Sequence, residues 1–171
     1  MPPQLPAHGT RRREGRCLRC HPRGFSVPTH HRRVGQPLPV DPGITMQLVK
    51  SDDPILHRVC RGDFVLDADV IQQMLHLLED AGGLGLAAPQ VGIDARLFVT
   101  AWGEVFVNPM IVCREGEVPC QEGCLSLPGV IRFKRRYRKV VLADSRTFEG
   151  QQAVVIQHET DHLNGILITD E

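Results

Sequence analysis

Residues Gln157-His158-Glu159-Thr160-Asp161-His162-Leu163-Asn164-Gly165 decide how this chain is read. Positions i and i+4 of an α-helix lie on one face, so His158 and His162 can offer two imidazoles to one metal ion, with Glu159 beside them to move protons. The flanks support a helix: Gln151 to Asn164 contain neither proline nor glycine, and Gly165 stands where helices end. The five central residues alone also fit a surface helix with two solvated histidines, so two further segments matter. In Gln121-Glu122-Gly123-Cys124-Leu125-Ser126 a cysteine sits in a tight glycine-containing loop or at a strand end. Its thiolate would complete a Cys-His-His set with a fourth position open, the arrangement of a catalytic metal site. Taken by itself, Cys124 reads as a small buried hydrophobe. In Gly83-Leu84-Gly85-Leu86-Ala87-Ala88-Pro89-Gln90 small residues permit close backbone approach, and the Gln90 amide can donate to a carbonyl oxygen. Alone, this stretch is a glycine-rich turn without phosphate-loop spacing.

Working outward, Asp67-Ala68-Asp69 opens a second helix, whose apolar residues Val70, Ile71, Met74, Leu75, Leu77 and Leu78 recur at helical spacing until Gly82 and Gly83 stop it. Arg96 to Thr100 and Glu104 to Val107 flank a turn at Gly103 and predict a β-hairpin, and Val140 to Ala143 read as another strand. No internal repeat is present. The expected class is α+β: antiparallel β-sheets packed around a central metal-binding helix, with one N-terminal amphipathic helix.

The 171 residues suit one domain, and 42% apolar with 23% charged residues is ordinary for a globular protein. Residues 1–45 stand apart, with eight prolines, five glycines and eight arginines against Glu14 and Asp41; they carry +6, and residues 46–171 carry −6. Such a segment buries too little apolar surface to offset its ordering entropy and is expected to be a disordered tail. The globular pattern begins at Met46, which reads as the true translation start. No apolar run reaches the roughly 18 residues of a membrane span, and no secretory core is present, so a cytoplasmic protein is expected. A mildly acidic folded part gives no expectation of direct nucleic-acid or membrane binding. In that compartment the six cysteines read as thiols or metal ligands. Cys17-Leu18-Arg19-Cys20-His21 matches a haem-attachment pattern only formally, because it lies in the Pro/Arg tail.

The three segments Gly83–Gln90, Glu122–Ser126 and Gln157–Gly165 resemble, in order, the signature motifs of the peptide deformylase family, and Asp53-Pro54-Ile55-Leu56 resembles its N-terminal segment. The resemblance covers Met46 to Asp170 and implies a catalytic domain over residues 46–171. It implies removal of the formyl group from the N-terminal formylmethionine of new polypeptides, with release of formate. Cys124, His158 and His162 would hold the metal, natively Fe²⁺ with Zn²⁺ or Ni²⁺ able to substitute. Glu159 would be the base, while the Gln90 side chain and the Leu125 backbone N–H would receive charge on the formyl oxygen. The substrate would add as a strand beside Gly85, with Leu84, Cys120 and Val155 at the methionine pocket, each of them also readable as core. A contact with the ribosome is left open.

The separation of Cys124 and His158, 34 positions, is shorter than the family pattern suggests. Asp144 to Gly150 are expected to join a strand almost directly to the metal helix, with no further strand between and fewer than two helical turns before His158. Two alternatives follow. A protease of the H-E-x-x-H class would need neither Gln90 nor the Cys124 loop. A shortened homologue could bind metal or N-termini with little turnover.

Overall fold

Asp67 turns the chain into its first long helix: its carboxylate accepts from the Asp69 N–H at 2.9 Å, satisfying one of the donors a helix start leaves over. In the computed structural model, which describes residues 36–37 and 46–170, that helix is α1, Ala68–Ala81, and Gly82 ends it at φ 64°. Before it come β1, Gln36–Pro37, a 3-10 turn at Pro54–His57 and β2, Phe64–Val65, with β1 and β2 pairing in parallel. The rest of the expected 1–45 tail, including Cys17, Cys20 and His21, lies outside the described residues.

After α1 follow β3, Gly85–Ala87, a 3-10 turn at Ala88–Val91, β4, Leu97–Thr100, and β5, Val105–Val107. These strands form an antiparallel sheet in the order β3-β4-β5, whose β4–β5 pairing is the expected hairpin. β6, Ile111–Cys124, β7, Leu127–Leu142, and β8, Thr147–Glu149, form a second antiparallel sheet before α2, Gly150–Leu163. The architecture is thus mixed α/β with antiparallel sheets. Val140 to Leu142 are the end of a strand far longer than the sequence suggests, Ala143 already lies in the following turn, and β6 was not anticipated. Two expectations about the shortened connection are corrected. A further strand, β8, does precede α2 and pairs with Lys139 to Val141 of β7, and eight residues, Gly150 to Gln157, wind just over two turns before His158.

Period-2 alternation sends the first sheet into two cores. Leu86, Leu97 and Val99 face α1 and pack with Val70, Met74 and Leu78. Ala87, Phe98 and Phe106 point the other way and meet Ala153, Ile156 and Leu163 of α2 together with Val140, Leu142 and Phe148 of the second sheet. α2 therefore stands between the two sheets. Its C-terminal end is tied down by Arg96, whose guanidinium donates to the Leu163 carbonyl and the Asn164 side chain, both at 3.0 Å. A cation there also suits the negative pole of the helix.

Candidate metal centre and cleft

α2 carries His158, Glu159 and His162, and β6 ends on Cys124, so a sheet edge and a helix face meet at one point. The Cys124 sulfur, one ring nitrogen of His158 and one of His162 lie within 4.8 Å of one another, with Cys124 Sγ 3.2 Å from His162 Nε2. One thiolate and two imidazoles within reach of a common point suit a transition-metal ion. Burial, then the neighbouring His158 and Arg136, push His162 down to about 3, so it is the neutral imidazole a metal requires. His158 responds in the opposite sense. Burial works against its charged form, yet hydrogen bonds to Cys124 and Glu122 raise it to about 10, so the pocket strongly favours a positive charge at this place.

Glu122 holds His158 from behind, its Oε2 lying 2.8 Å from His158 Nδ1. Arg136 on β7 grips that carboxylate with two bonds, Nε to Oε1 at 2.6 Å and Nη2 to Oε2 at 2.9 Å, and gives Nη1 to Asp161 Oδ2 at 2.6 Å. A buried arginine would be costly unpaired; with two carboxylates it ties β6, β7 and α2 into one charged unit. Burial alone would raise the Glu122 carboxyl, but the Arg136 and His158 hydrogen bonds outweigh it and hold it at about 2. A carboxylate behind a ligating imidazole fixes its tautomer and direction. The sequence reading gave Glu122, Arg136 and Asp161 no role. Glu122 was within reach of it, since it lies two residues before Cys124 and thus on the same strand face, whereas nothing local marks Arg136.

Glu159 is 3% exposed, and its Oε2 has no hydrogen-bond partner among the described residues. Burial, foremost, pushes its carboxyl up to about 7, the range of a group that takes and returns a proton near neutrality. It lies so close to β3 that a Cβ on Gly85 would overlap the carboxylate, and a Cβ on Gly83 would come within 2.9 Å of Leu125 Cδ1. Close approach thus requires the glycine at position 85, whereas the leucine methyl groups facing Gly83 can shift. Gln90, 1% exposed, accepts from the Ala87 N–H at 2.8 Å through Oε1, which turns its NH₂ toward Ser126 Oγ at 3.0 Å and Cys124 Sγ at 3.6 Å. Leu125 lies in the two-residue turn between β6 and β7, next to Cys124.

A cleft of about 630 Å³ runs between the β3 edge and the β6 edge, lined by Leu84, Gly85, Gln90, Cys120, Cys124, Leu125, Val155, His158 and Glu159 among others. Every residue singled out from the sequence except His162 lines this cleft, and His162 lies behind it, buried against Cys124. Cys60 lies apart, in the second core, where burial and then Asp94 push its thiol up to about 11. Among the described residues Cys60, Cys120 and Cys124 are free thiols.

Comparison with known proteins agrees with this geometry. The sequence model of a family described as polypeptide deformylase matches residues 45–171. The chain is 41% identical over 139 residues to the peptide deformylase of Dictyoglomus turgidum, an alignment covering 73% of this chain and 91% of that one. The crystal structure of peptide deformylase from Thermotoga maritima superposes with a TM-score of 0.64 at 31% identity, covering 73% of this chain and 95% of that one. A deformylase from the Vibrio parahaemolyticus bacteriophage VP16T, solved in complex with actinonin, gives a TM-score of 0.63 at 35% identity and is covered over 100% of its length by 72% of this chain.

Proposed function

The chain belongs to the polypeptide deformylase family, and from that premise we propose how its own residues divide the work. Members of the family are metal-dependent hydrolases that remove the formyl group from the N-termini of new polypeptides, and this chain is such an enzyme. Cys124, His158 and His162 are the metal ligands, which fits the convergence of one sulfur and two ring nitrogens on one point. We assign Fe²⁺ as the native ion, with Zn²⁺ or Ni²⁺ able to replace it, since thiolate and imidazole accept all three. Bound there, the ion supplies Lewis acidity that makes water acidic enough to lose a proton near neutral pH. Residues 46–171 form the catalytic unit, with α2 as its metal-binding helix. Its substrates are formylmethionyl chains met in the cytoplasm near the ribosome, where formylated N-termini arise.

Glu159 takes a proton from the attacking water and returns one to the departing amine, so that the formyl C–N bond breaks and formate leaves. The Gln90 NH₂ and the Leu125 N–H donate to the formyl oxygen as it gains charge. Pinning of Gln90 Oε1 by the Ala87 N–H supports this role, because the donor end is oriented before substrate arrives. The peptide lies extended in the cleft as a strand added between two open edges, β3 and β6. Its methionine side chain enters toward Cys120 and Val155, with Leu84 at the rim.

The observation that carries the assignment is the buried Glu159 carboxylate, unpartnered at Oε2, beside the Cys124-His158-His162 cluster. Formate release from formyl-Met-Ala-Ser by anaerobically prepared ferrous protein tests it. Turnover is expected, with Gln90→Ala retaining metal and losing roughly a hundredfold to a thousandfold in kcat. Stoichiometric metal without formate release would overturn the proposal.

A further inference from the structure

The methionine pocket uses one face of β6, and the opposite face is also built for contact. Cys120 and Glu122 point inward, toward α2 and the metal ligands; Gln121 and Gly123 alternate to the other side, where they pair with Phe133 and Ile131 of β7. Gly123 has no side chain to cover its place on the edge strand. Ile131 fills it instead: a Cβ on Gly123 would sit 3.4 Å from Ile131 Cδ1, so the isoleucine reaches across β6 toward the cleft. Ile131 lines the cleft and is nevertheless 51% exposed, leaving an apolar surface facing the space where an added strand would run.

An extended peptide beside β6 turns successive side chains to opposite faces. If the methionine side chain enters on the Cys120 and Val155 side, the next side chain emerges on the side of Gly123 and Ile131. Resting on the deformylase reading of this cleft, we infer that Ile131 is a specificity-determining residue that selects apolar side chains at the second position of the formylated peptide. Phe133, 76% exposed and outside the cleft lining, belongs to the same face but lies one strand repeat further along, about 7 Å away. It therefore serves as a control with tripeptides.

The test compares formyl-Met-Leu-Ser with formyl-Met-Asn-Ser, whose second side chains have similar size and neither of which is charged. Wild-type ferrous enzyme is expected to prefer the leucine peptide by about tenfold in kcat/KM, the gain lying mainly in KM because the contact is remote from the reacting carbon. Ile131→Asn brings the ratio close to one, Ile131→Leu preserves it, and Phe133→Asn leaves it unchanged. A ratio that is the same in wild type and Ile131→Asn overturns the inference while leaving the deformylase assignment standing. Absence of formate from both peptides with wild-type enzyme overturns that assignment and the inference with it.

Discussion

The two long helices have equal length, 14 residues each, and opposite construction. α1 buries Val70, Met74 and Leu78, spaced four apart, and keeps its polar residues outside apart from the half-buried Gln73, whose Oε1 has no hydrogen-bond partner among the described residues. α2 is enclosed on several sides and buries Gln157, Glu159, Thr160 and His162 alongside Ala153, Val155, Ile156 and Leu163. Most of that polar burial is compensated within the scaffold. Gln157 exchanges hydrogen bonds with the Tyr137 backbone at 2.9 and 2.8 Å, and Thr160 Oγ1 donates to the Ile156 carbonyl at 2.6 Å. Glu159 Oε2 and His162 Nδ1 are left without such a partner. Uncompensated burial costs stability, and two of the three such atoms among the described residues sit together at the Cys124-His158-His162 cluster, where the fold gives up stability for chemistry.

The sharpest way to break this contrast is Glu159→Gln, which keeps the shape and removes the proton acceptor. Turnover is expected to fall by about two to four orders of magnitude, while the urea midpoint stays level or rises. A loss of stability on the same scale would mean that Glu159 holds the helix rather than serving it. Arg136→Met attacks the scaffold behind α2 and strands Glu122 and Asp161. The expected cost is about 3–5 kcal/mol in urea unfolding, with weakened metal binding because His158 loses its fixed backing. Met74→Ala tests the other helix: a fully buried side chain is removed, costing about 2–5 kcal/mol, and turnover by the remaining folded enzyme is unchanged.

Acid titration should separate the two regions with the smallest effect. The Glu122 carboxyl ionises at about 2 in the fold against an ordinary 4.5, so its folded value is lowered. Its contribution is then complete above about 4.5 and is lost as pH falls toward about 2. Between those values the wild-type urea midpoint should drop more steeply than that of Arg136→Met. Parallel curves would show that the Arg136 bonds are not what lowers Glu122.

The same contrast explains which elements could be read in advance. α1 announces itself because one apolar stripe must face one sheet, and the β4–β5 hairpin because Gly103 breaks two apolar runs. α2 was legible through its ligand spacing and the absence of breakers. β6 and most of β7 were not, because a hairpin with an open edge keeps polar residues on both faces; in Ile131-Arg132-Phe133-Lys134-Arg135-Arg136-Tyr137-Arg138-Lys139 charge hides the alternation. Only where one face closes on the core, at Val140 and Leu142, did the strand show. β8 has three residues, too few for any pattern. In the site, motif spacing singled out Cys124, His158, His162 and Gln90, which the fold brings together, but the Arg136 network joins residues 14 and 25 positions apart and has no local signature.

A cleft walled by two unpaired strand edges also invites the wrong guest. Any exposed β-segment, including one from another copy of this chain, could pair there and seed aggregation. β3 offers only three residues, and Pro119 removes one donor from β6 just before the cleft. The enzyme is open enough to hold a few residues of extended chain and too interrupted to template a long ladder, so brief occupancy by many different sequences is built into its edges.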